Sequence, residues 1–351
     1  MKTLRNFFIV LLFSGYYISC KQGTEMGEAP TATEIQVSDP LPSWNKGATK
    51  EAIVNFVEKV TNPDSAEFVA VEDRIATFDN DGNLWSEQPL YFQLIFAMER
   101  IKAMAEDHPE WKTTQPYKAV IEDDKEALIA SGKKGLLQLV MASHTGMTTE
   151  EFNATSAAWL ETSKHPRFNE PYHHMVYQPM LELLAYLRAN DFKTFIVSGG
   201  GIDFLRVWAP EAYGIPTDQI VGSSVKATFE YKDGDAVIRK IPEINFVDDH
   251  EGKPIGIHQH IGKRPIFASG NSDGDLEMLQ YTDSNELPSF MLYLHHTDAE
   301  REWAYDRESH IGKLDKGLDE AHAKGWTVID MKKDWKVIYP FQKMDTETKN
   351  Q

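Results

Sequence analysis

The chain has 351 residues, with 36 Lys and Arg against 54 Asp and Glu, and a formal net charge of −18 at pH 7. That balance argues against a nucleic-acid binder and against an electrostatic footing on an anionic membrane. The apolar fraction of 41% is ample for a packed core, and the length suggests two domains or one domain with a large insertion.

At the front, Lys2 and Arg5 precede an apolar run from Phe7 to Phe13 that is too short to span a bilayer. Tyr17-Ile18-Ser19-Cys20 follows, and Cys20 is the one cysteine of the chain. The pattern resembles a bacterial lipoprotein signal peptide over 1–19 with Cys20 as the lipidated N-terminus, although Tyr17 stands where an aliphatic residue is usual. It predicts an exported protein, lipid-anchored in a bacterial cell envelope, periplasmic or outer-membrane associated. The competing reading is a secreted protein with a spare cysteine; either way no disulfide forms within the chain. Residues 20–43 are expected to be a flexible tether, rich in Gly, Thr, Glu, Pro and Ser without an apolar period.

Residues 49–60 carry apolar side chains at helical spacing, with Thr49 as the expected cap. Arg74 to Phe78 is apolar and partly β-branched, and reads as a short buried strand. From Leu90 to Met104 and through 116–142 the periods are helical, and Thr148 to Glu151 has the form of a capping box opening a further helix. Residues 88–177 therefore read as a helical insertion. Alternation resumes with a helix over 180–189, a strand over 193–197, a helix from Ile202 and a short strand over 220–224. A separate β-hairpin with an Asp-Gly turn follows over 226–240, then strands over 265–268, 290–295 and 326–331 and a helix from Leu276. Strands alternating with helices imply a parallel sheet.

The chemistry gathers at the ends of strands. Phe78 runs into Asp79-Asn80-Asp81-Gly82, and a buried strand delivers such acids to the carboxyl edge of a sheet, where open α/β folds place ligands. Two carboxylates so close need compensation, and a hard divalent cation such as Mg²⁺ suits oxygen donors. One acid can then serve as nucleophile and the other as proton donor. Ser198-Gly199-Gly200 offers a hydroxyl and bare amides between a strand and a helix, a setting suited to phosphate oxygens. Lys253 supplies a cation, with Lys263 as a rival placed at the wrong end of its strand. Gly270-Asn271-Ser272-Asp273-Gly274-Asp275 supplies further oxygen donors.

These four pieces, in this order and with a helical insertion between the first two, resemble the motifs of the haloacid dehalogenase-like (HAD) hydrolases, with phosphoserine phosphatase-like and phosphorylcholine phosphatase-like members the nearest in pattern. The resemblance covers about residues 45–335. It implies a Rossmann-like α/β core over 44–87 and 178–340 with a helical cap over 88–177, and a Mg²⁺-dependent phosphatase acting on a small phosphorylated metabolite. By the same resemblance Asp79 is the nucleophile that becomes an aspartyl-phosphate and Asp81 the acid and base. Ser198, Gly199 and the Gly82 backbone hold the substrate, and Lys253 stabilises charge. Asp79, the Asp81 carbonyl and Asn271 face Mg²⁺ with Asp275 close behind. Two positions depart from the family pattern: Asn83 replaces a usual Thr and Asn271 a usual acid, which leaves Asp273 as an alternative donor.

In this family type the cap reads the substrate. Glu87 is expected to meet a substrate ammonium, and Trp85, Tyr91, Phe92, Trp159 and Tyr172 to line the pocket, ordinary packing being the competing and favoured reading for each aromatic. His173-His174, His258, His260 and His295-His296 lack ligand spacing and receive no role. The alternative functions are a non-catalytic ligand-binding lipoprotein on the same core, and a pyrophosphatase or phosphonatase.

Overall fold

The computed structural model describes residues 39–342. The signal segment, Cys20 and most of the expected tether lie outside the described residues. The folded part begins near Leu41, as the sequence suggests, within the last residues assigned to the tether: Leu41 is fully buried and the Ser43 amide donates to Glu182 Oε2 at 2.7 Å. Trp44 packs edge-on against Trp335 near the other end of the fold.

Helix α1 (Ala48–Thr61) buries Ile53, Phe56, Val57 and Val60 on one face. Its cap position is Gly47, so Thr49 lies inside the first turn and its hydroxyl bonds Asp334 Oδ2 instead. Strand β1 (Ile75–Phe78) follows with all four residues buried. The insertion contains α2 (Phe92–Met104), α3 (Tyr117–Ile121), α4 (Lys125–Ala130), α5 (Gly132–His144) and α6 (Thr149–Thr162). The capping box at Thr148 and Glu151 is present in both directions.

The core then resumes with α7 (Gln178–Ala189), β2 (Lys193–Gly201), α8 (Ile202–Tyr213), β3 (Ile220–Lys232), β4 (Asp235–Phe246) and α9 (Gly252–His260). It closes with β5 (Phe267–Gly270), α10 (Leu276–Asp283), β6 (Phe290–Thr297), β7 (Ala304–Tyr305), α11 (Lys316–Lys324), β8 (Thr327–Asp330) and α12 (Met331–Asp334). The sheet runs β4-β3-β2-β1-β5-β6-β7, with β8 paired to β6. The pairs β1–β2, β1–β5, β2–β3, β5–β6 and β6–β8 are parallel. The chain leaves β1 toward β2 on one side and returns to β5 on the other, so the carboxyl end of β1 is a topological switch point, where such sheets open a crevice. Among the described residues no helix is long and apolar enough to cross a membrane.

Two features differ from the sequence expectation. The strand over 220–224 and the hairpin over 226–240 are one structure: β3 continues past the end of β2 and pairs antiparallel with β4 out to Lys232 and Asp235. The register against β4 shifts on either side of Val225, but pairing resumes at Ala227 and carries the strand on. At the tip, Asp233 and Gly234 both have positive φ, as a two-residue hairpin turn requires. The second feature is the depth of the insertion. Leu94, Ile101, Trp111, Val120 and Leu139 form a small core of their own, but Phe92, Phe96, Phe152, Trp159 and Tyr172 belong to the main core.

The hairpin also clips to the insertion. The Lys240 amide donates to Met147 O and the Gly146 amide to Lys240 O, both at 2.9 Å. Beside this clip, Gln93 Nε2 lies 2.9 Å from His144 Nε2, and His144 Nδ1 lies 2.7 Å from Ser143 Oγ. Burial, with the charges of Lys240 and Arg100, drives the His144 imidazole down to about 3 from its ordinary 6.5. The folded protein therefore refuses a proton that the unfolded chain accepts below about 6.5. Stability from this group is complete above that pH and is lost as pH falls toward 3. Urea unfolding at about pH 7 and about pH 4.5 should show wild type losing roughly 2 kcal/mol more than His144→Gln over that interval. Equal losses would place the proton elsewhere.

Candidate active site

Asp79 is the first residue past β1, and its amide donates to Ser269 O at the end of β5. Asn83 secures the same junction: its Nδ2 donates to Asp79 O at 3.0 Å and its Oδ1 accepts from Ser269 Oγ at 2.8 Å. Lys253, in the first turn of α9, reaches beneath the site. Its ammonium donates to Asp79 Oδ1 at 2.6 Å, to Asp275 Oδ1 at 2.5 Å and to Val197 O at 3.0 Å, and the side chain is 2% exposed. Burial alone would drive such a lysine toward its neutral form, but the charges of Asp275 and Asp79 prevail and raise its pKa. Burial and then the Asp275 charge push the Asp79 carboxyl upward, with Lys253 opposing. Asp248, five residues before Lys253, is also buried, and burial pushes its carboxyl up to about 8 against the Lys253 charge and a bond from the Ser198 backbone. Lys263 lies at the opposite end of the sheet, bonded to Glu72 O and Asp73.

Asp81 borders the cavity above Asp79. Its Oδ1 accepts from Trp85 Nε1 at 2.7 Å. Burial raises its carboxyl to about 6, and the indole bond opposes that rise. Gly82 adopts φ +76°, and a Cβ there would collide with Asn271 Nδ2 and the Glu87 carboxyl. Glycine is required by both conformation and space. The Gly82 carbonyl accepts from His296 Nε2 at 2.7 Å, and His296 Nδ1 lies 3.1 Å from Glu302 Oε2.

Glu87 lies in this same layer rather than in the cap. Its Oε1 accepts from Asn271 Nδ2 and from Tyr305 hydroxyl, both at 2.8 Å. Burial, with the charges of Asp81 and Asp79 added, raises its pKa well above the usual range. It therefore fixes the Asn271 amide, whereas the sequence reading expected it to meet a substrate ammonium.

With Nδ2 so held, Asn271 Oδ1 is turned away from Glu87, buried and without a hydrogen-bond partner among the described residues. An orphaned carbonyl oxygen beside Asp79 and Asp81, where one lysine faces several carboxyls, fits a hard cation. No group of three or more His, Cys, Asp or Glu converges among the described residues, so a metal here would depend on the mixed set of Asp79, Asn271 and main-chain oxygen. Asp275 is otherwise engaged: Oδ2 accepts from the Asn271 and Ser272 amides and Oδ1 from Lys253. It holds the turn and the lysine. Asp273 Oδ1 accepts from the Asp315 and Gly317 amides, each at 2.9 Å, and so anchors the start of α11, which removes it as an alternative metal donor.

At the end of β2, Ser198 is buried and its Oγ accepts from the Gly200 amide at 3.1 Å. Gly199, Gly200 and Gly201 border the cavity. A Cβ on Gly200 would stand 3.4 Å from Asp81 Oδ2, which measures how near this loop comes to the acid. Gln93, from α2 in the insertion, reaches across to accept from the Gly201 amide at 2.7 Å. Sequence reading missed Gln93, Tyr305, His296 and Asp248, which carry no motif.

Asp79, Asp81, Glu87, Gln93, Lys253, Asp275 and the glycine loop line one cavity of about 240 Å³ between the sheet edge, the insertion and the hairpin. Of the aromatic residues expected on its wall, Tyr91 is there. Trp85 is stacked on Trp208 at 4.0 Å, Trp159 on Tyr172 at 5.0 Å, and Phe92 lies against Trp85; all are core residues. Their apolar area is better spent in close packing, and the Trp85 side chain touches the chemistry through its bond to Asp81.

Among solved structures the fold is similar to that of a conserved, functionally unknown protein from Anaerococcus prevotii DSM 20548, at 14% identity and a TM-score of 0.51, over 81% of this chain and 91% of that one. A protein of unknown function from Bordetella pertussis Tohama I matches at 17% identity and a TM-score of 0.44, over 74% and 98%. A probable phosphoserine phosphatase from Vibrio cholerae matches at 14% identity and a TM-score of 0.37, over 76% and 71%. No curated protein matches the sequence. The model of the haloacid dehalogenase-like hydrolases matches residues 76–280, more than half of the chain and the stretch that holds Asp79, Ser198, Lys253 and Asn271, and the chain belongs to that family.

Proposed function

We propose that this protein is a Mg²⁺-dependent phosphomonoesterase that hydrolyses a small phosphate ester through a covalent aspartyl-phosphate on Asp79. The observation that carries the reading is the buried Lys253 ammonium held between Asp79 and Asp275, with Asp81 on the cavity side of Asp79. A nucleophile with a cation beneath it and an acid above it is an arrangement for phosphoryl transfer, which asks mainly for positioning and charge stabilisation.

In the first step an Asp79 carboxylate oxygen attacks phosphorus and the bond from phosphorus to the ester oxygen breaks. Asp81 gives its proton to that oxygen, so an alcohol leaves. In the second step Asp81, now a carboxylate, takes a proton from water as the water attacks phosphorus, and Asp79 departs with the electron pair of its bond. The Ser198 hydroxyl, the Gly199 amide and the Lys253 charge steady the phosphoryl oxygens through both steps. Mg²⁺, bound by Asp79, Asn271 and the Asp81 carbonyl, would offset the negative charge of phosphate and carboxylates. The extra acid also speaks against dehalogenation, since a halide leaves without a proton. Export and lipid anchoring at Cys20 rest on the sequence pattern and complete the proposal: an enzyme of the cell envelope facing small phosphorylated metabolites.

Three measurements bear on this reading. Acid quenching during turnover of a labelled ester should trap phosphate on wild type and none on Asp79→Asn, with kcat lowered by more than about 10³-fold. Label retained on the variant would move the nucleophile elsewhere. Asp81 must be protonated in the free enzyme, so kcat/KM should fall as pH rises through its pKa. Trp85→Phe removes the bond that holds that pKa down, and the falling limb should move to higher pH; an unmoved limb would assign it to another group. Calorimetric titration with Mg²⁺ should show affinity roughly 10–100-fold weaker in Glu87→Ala, where Asn271 is free to turn. Glu87→Gln keeps an acceptor for Asn271 Nδ2 and should stay near wild type.

A further inference from the structure

The cavity has two ends of opposite character. At the sheet edge lie Asp79, Asp81, Glu87, Asp275 and the glycine loop. Away from it the wall is apolar and comes from three separate elements: Leu94 of α2, Leu136 and Val140 of α5, and Val225, Ile244 and Phe246 of the hairpin. Beyond the phosphoryl site, therefore, the space for the rest of a substrate is bounded by aliphatic and aromatic side chains.

The polar groups on that side are already committed to one another. Asp203 and the buried Lys240 form an ion pair, so that carboxylate carries its own counter-ion, and Asp249 lies against Gly199 and Gly274 at the phosphoryl end of the cavity. Gln93 spends its carbonyl on the Gly201 amide and its amide on His144. The His144 ring is uncharged at neutral pH. Four of the five aromatic residues expected to cage an ammonium are in the core, and Glu87, the acid expected to face one, is bonded to Asn271 and Tyr305. A quaternary ammonium or an α-amino carboxylate placed against the apolar wall would lose its water and meet there only the already paired Asp203 and Lys240, a large penalty. An uncharged hydrocarbon loses nothing and gains burial.

We infer that the cap-side cavity is a subsite for an apolar, uncharged leaving group, so that the substrate class is alkyl or aryl phosphate monoesters rather than phosphate esters of amino alcohols or amino acids. The inference rests on the phosphatase reading for the hydrolysis, and on the cavity wall for the selectivity. The wall is built jointly by the insertion and the hairpin, which are tied together through Gly146, Met147 and Lys240, so the subsite is a fixed part of the fold.

The test uses the full-length chain with Mg²⁺ and two parallel series. In the first, kcat/KM is measured for methyl, propyl, butyl and hexyl phosphate, phenyl phosphate, phosphocholine and phosphoserine. In the second, binding of the matching non-hydrolysable alkylphosphonates is measured by calorimetry. Both series should rise by roughly fourfold per methylene until the cavity is filled. Phosphocholine and phosphoserine should fall about tenfold or more below a neutral ester of similar size. Ile244→Asp, which sets a charge in the wall, should flatten the chain-length dependence in both series. Turnover with a flat series, or with the charged esters preferred, would overturn the inference and leave the phosphatase reading intact. Phosphonate affinity that rises with chain length while no ester is turned over would uphold the subsite and remove the hydrolysis.

Discussion

A single buried ammonium governs the geometry of the site. Lys253 donates to Asp79 past β1, to Asp275 after β5, and to the Val197 carbonyl within β2. Those strands are neighbours in the sheet, with β1 between the other two, so one side chain ties the carboxyl ends of all three. The tie is mutual. Without the two acids the lysine would shed its charge in so dry a place, and without the lysine the acids would repel one another. Removing either partner of such a group leaves an uncompensated buried charge, which costs far more than the pair returns in stability. The arrangement is thus retained for what it holds in place.

The negative excess that remains is managed by fixing orientations. Asn271 offers one amide face to Glu87 and leaves its carbonyl oxygen without a partner. Glu87 in turn is held by Tyr305, and the Gly82 backbone by His296 and, behind it, Glu302. Each link supports an atom one step nearer to Asp79. Gly82 sits at the point where these layers meet, and any side chain there would occupy the space of Asn271 and Glu87. Tight backing of this kind is what keeps catalytic groups within a few tenths of an ångström of their working positions.

How much of this was legible in the sequence follows from how local each signal is. Strand β1, the acids after it, the glycine loop after β2 and the Asn271 turn after β5 are each written in a few consecutive residues, and they converge because parallel strands present their carboxyl ends together. Residues that act through long-range contact left no such trace. Tyr305 and Glu87 are 218 positions apart, Gln93 and Gly201 108 apart, and neither pair forms a pattern. Helix α9 was not anticipated: it opens with Gly252, Lys253 and Pro254, and proline is tolerated in a first turn where no amide partner is needed. The aromatic residues were ambiguous for a different reason. Composition cannot distinguish a ring that lines a pocket from one that packs behind it, and Trp85 does the latter while reaching the cavity through one N–H.

The contrast between the two ends of the cavity follows from what each end must do to water. A phosphoryl group brings its own charge and needs fixed donors, a lysine and a cation aimed at its oxygens, all in a place where competing water is scarce. An apolar wall supplies that dryness without adding any charge that would compete with the phosphate. Among the remaining charges, Lys240 and Asp203 cancel within one pair while Asp249 lies toward the glycine loop, and the Lys240 ammonium stands 4.7 Å from the Phe152 ring centroid. Because the wall is drawn from the insertion and from the base of a hairpin that belongs to the core, it forms only when the two are joined. The continuation of β3 beyond β2, which separated the observed hairpin from the one expected, is therefore what completes the enclosure. The same strand that extends the sheet by one antiparallel pair also shuts the leaving-group side of the site.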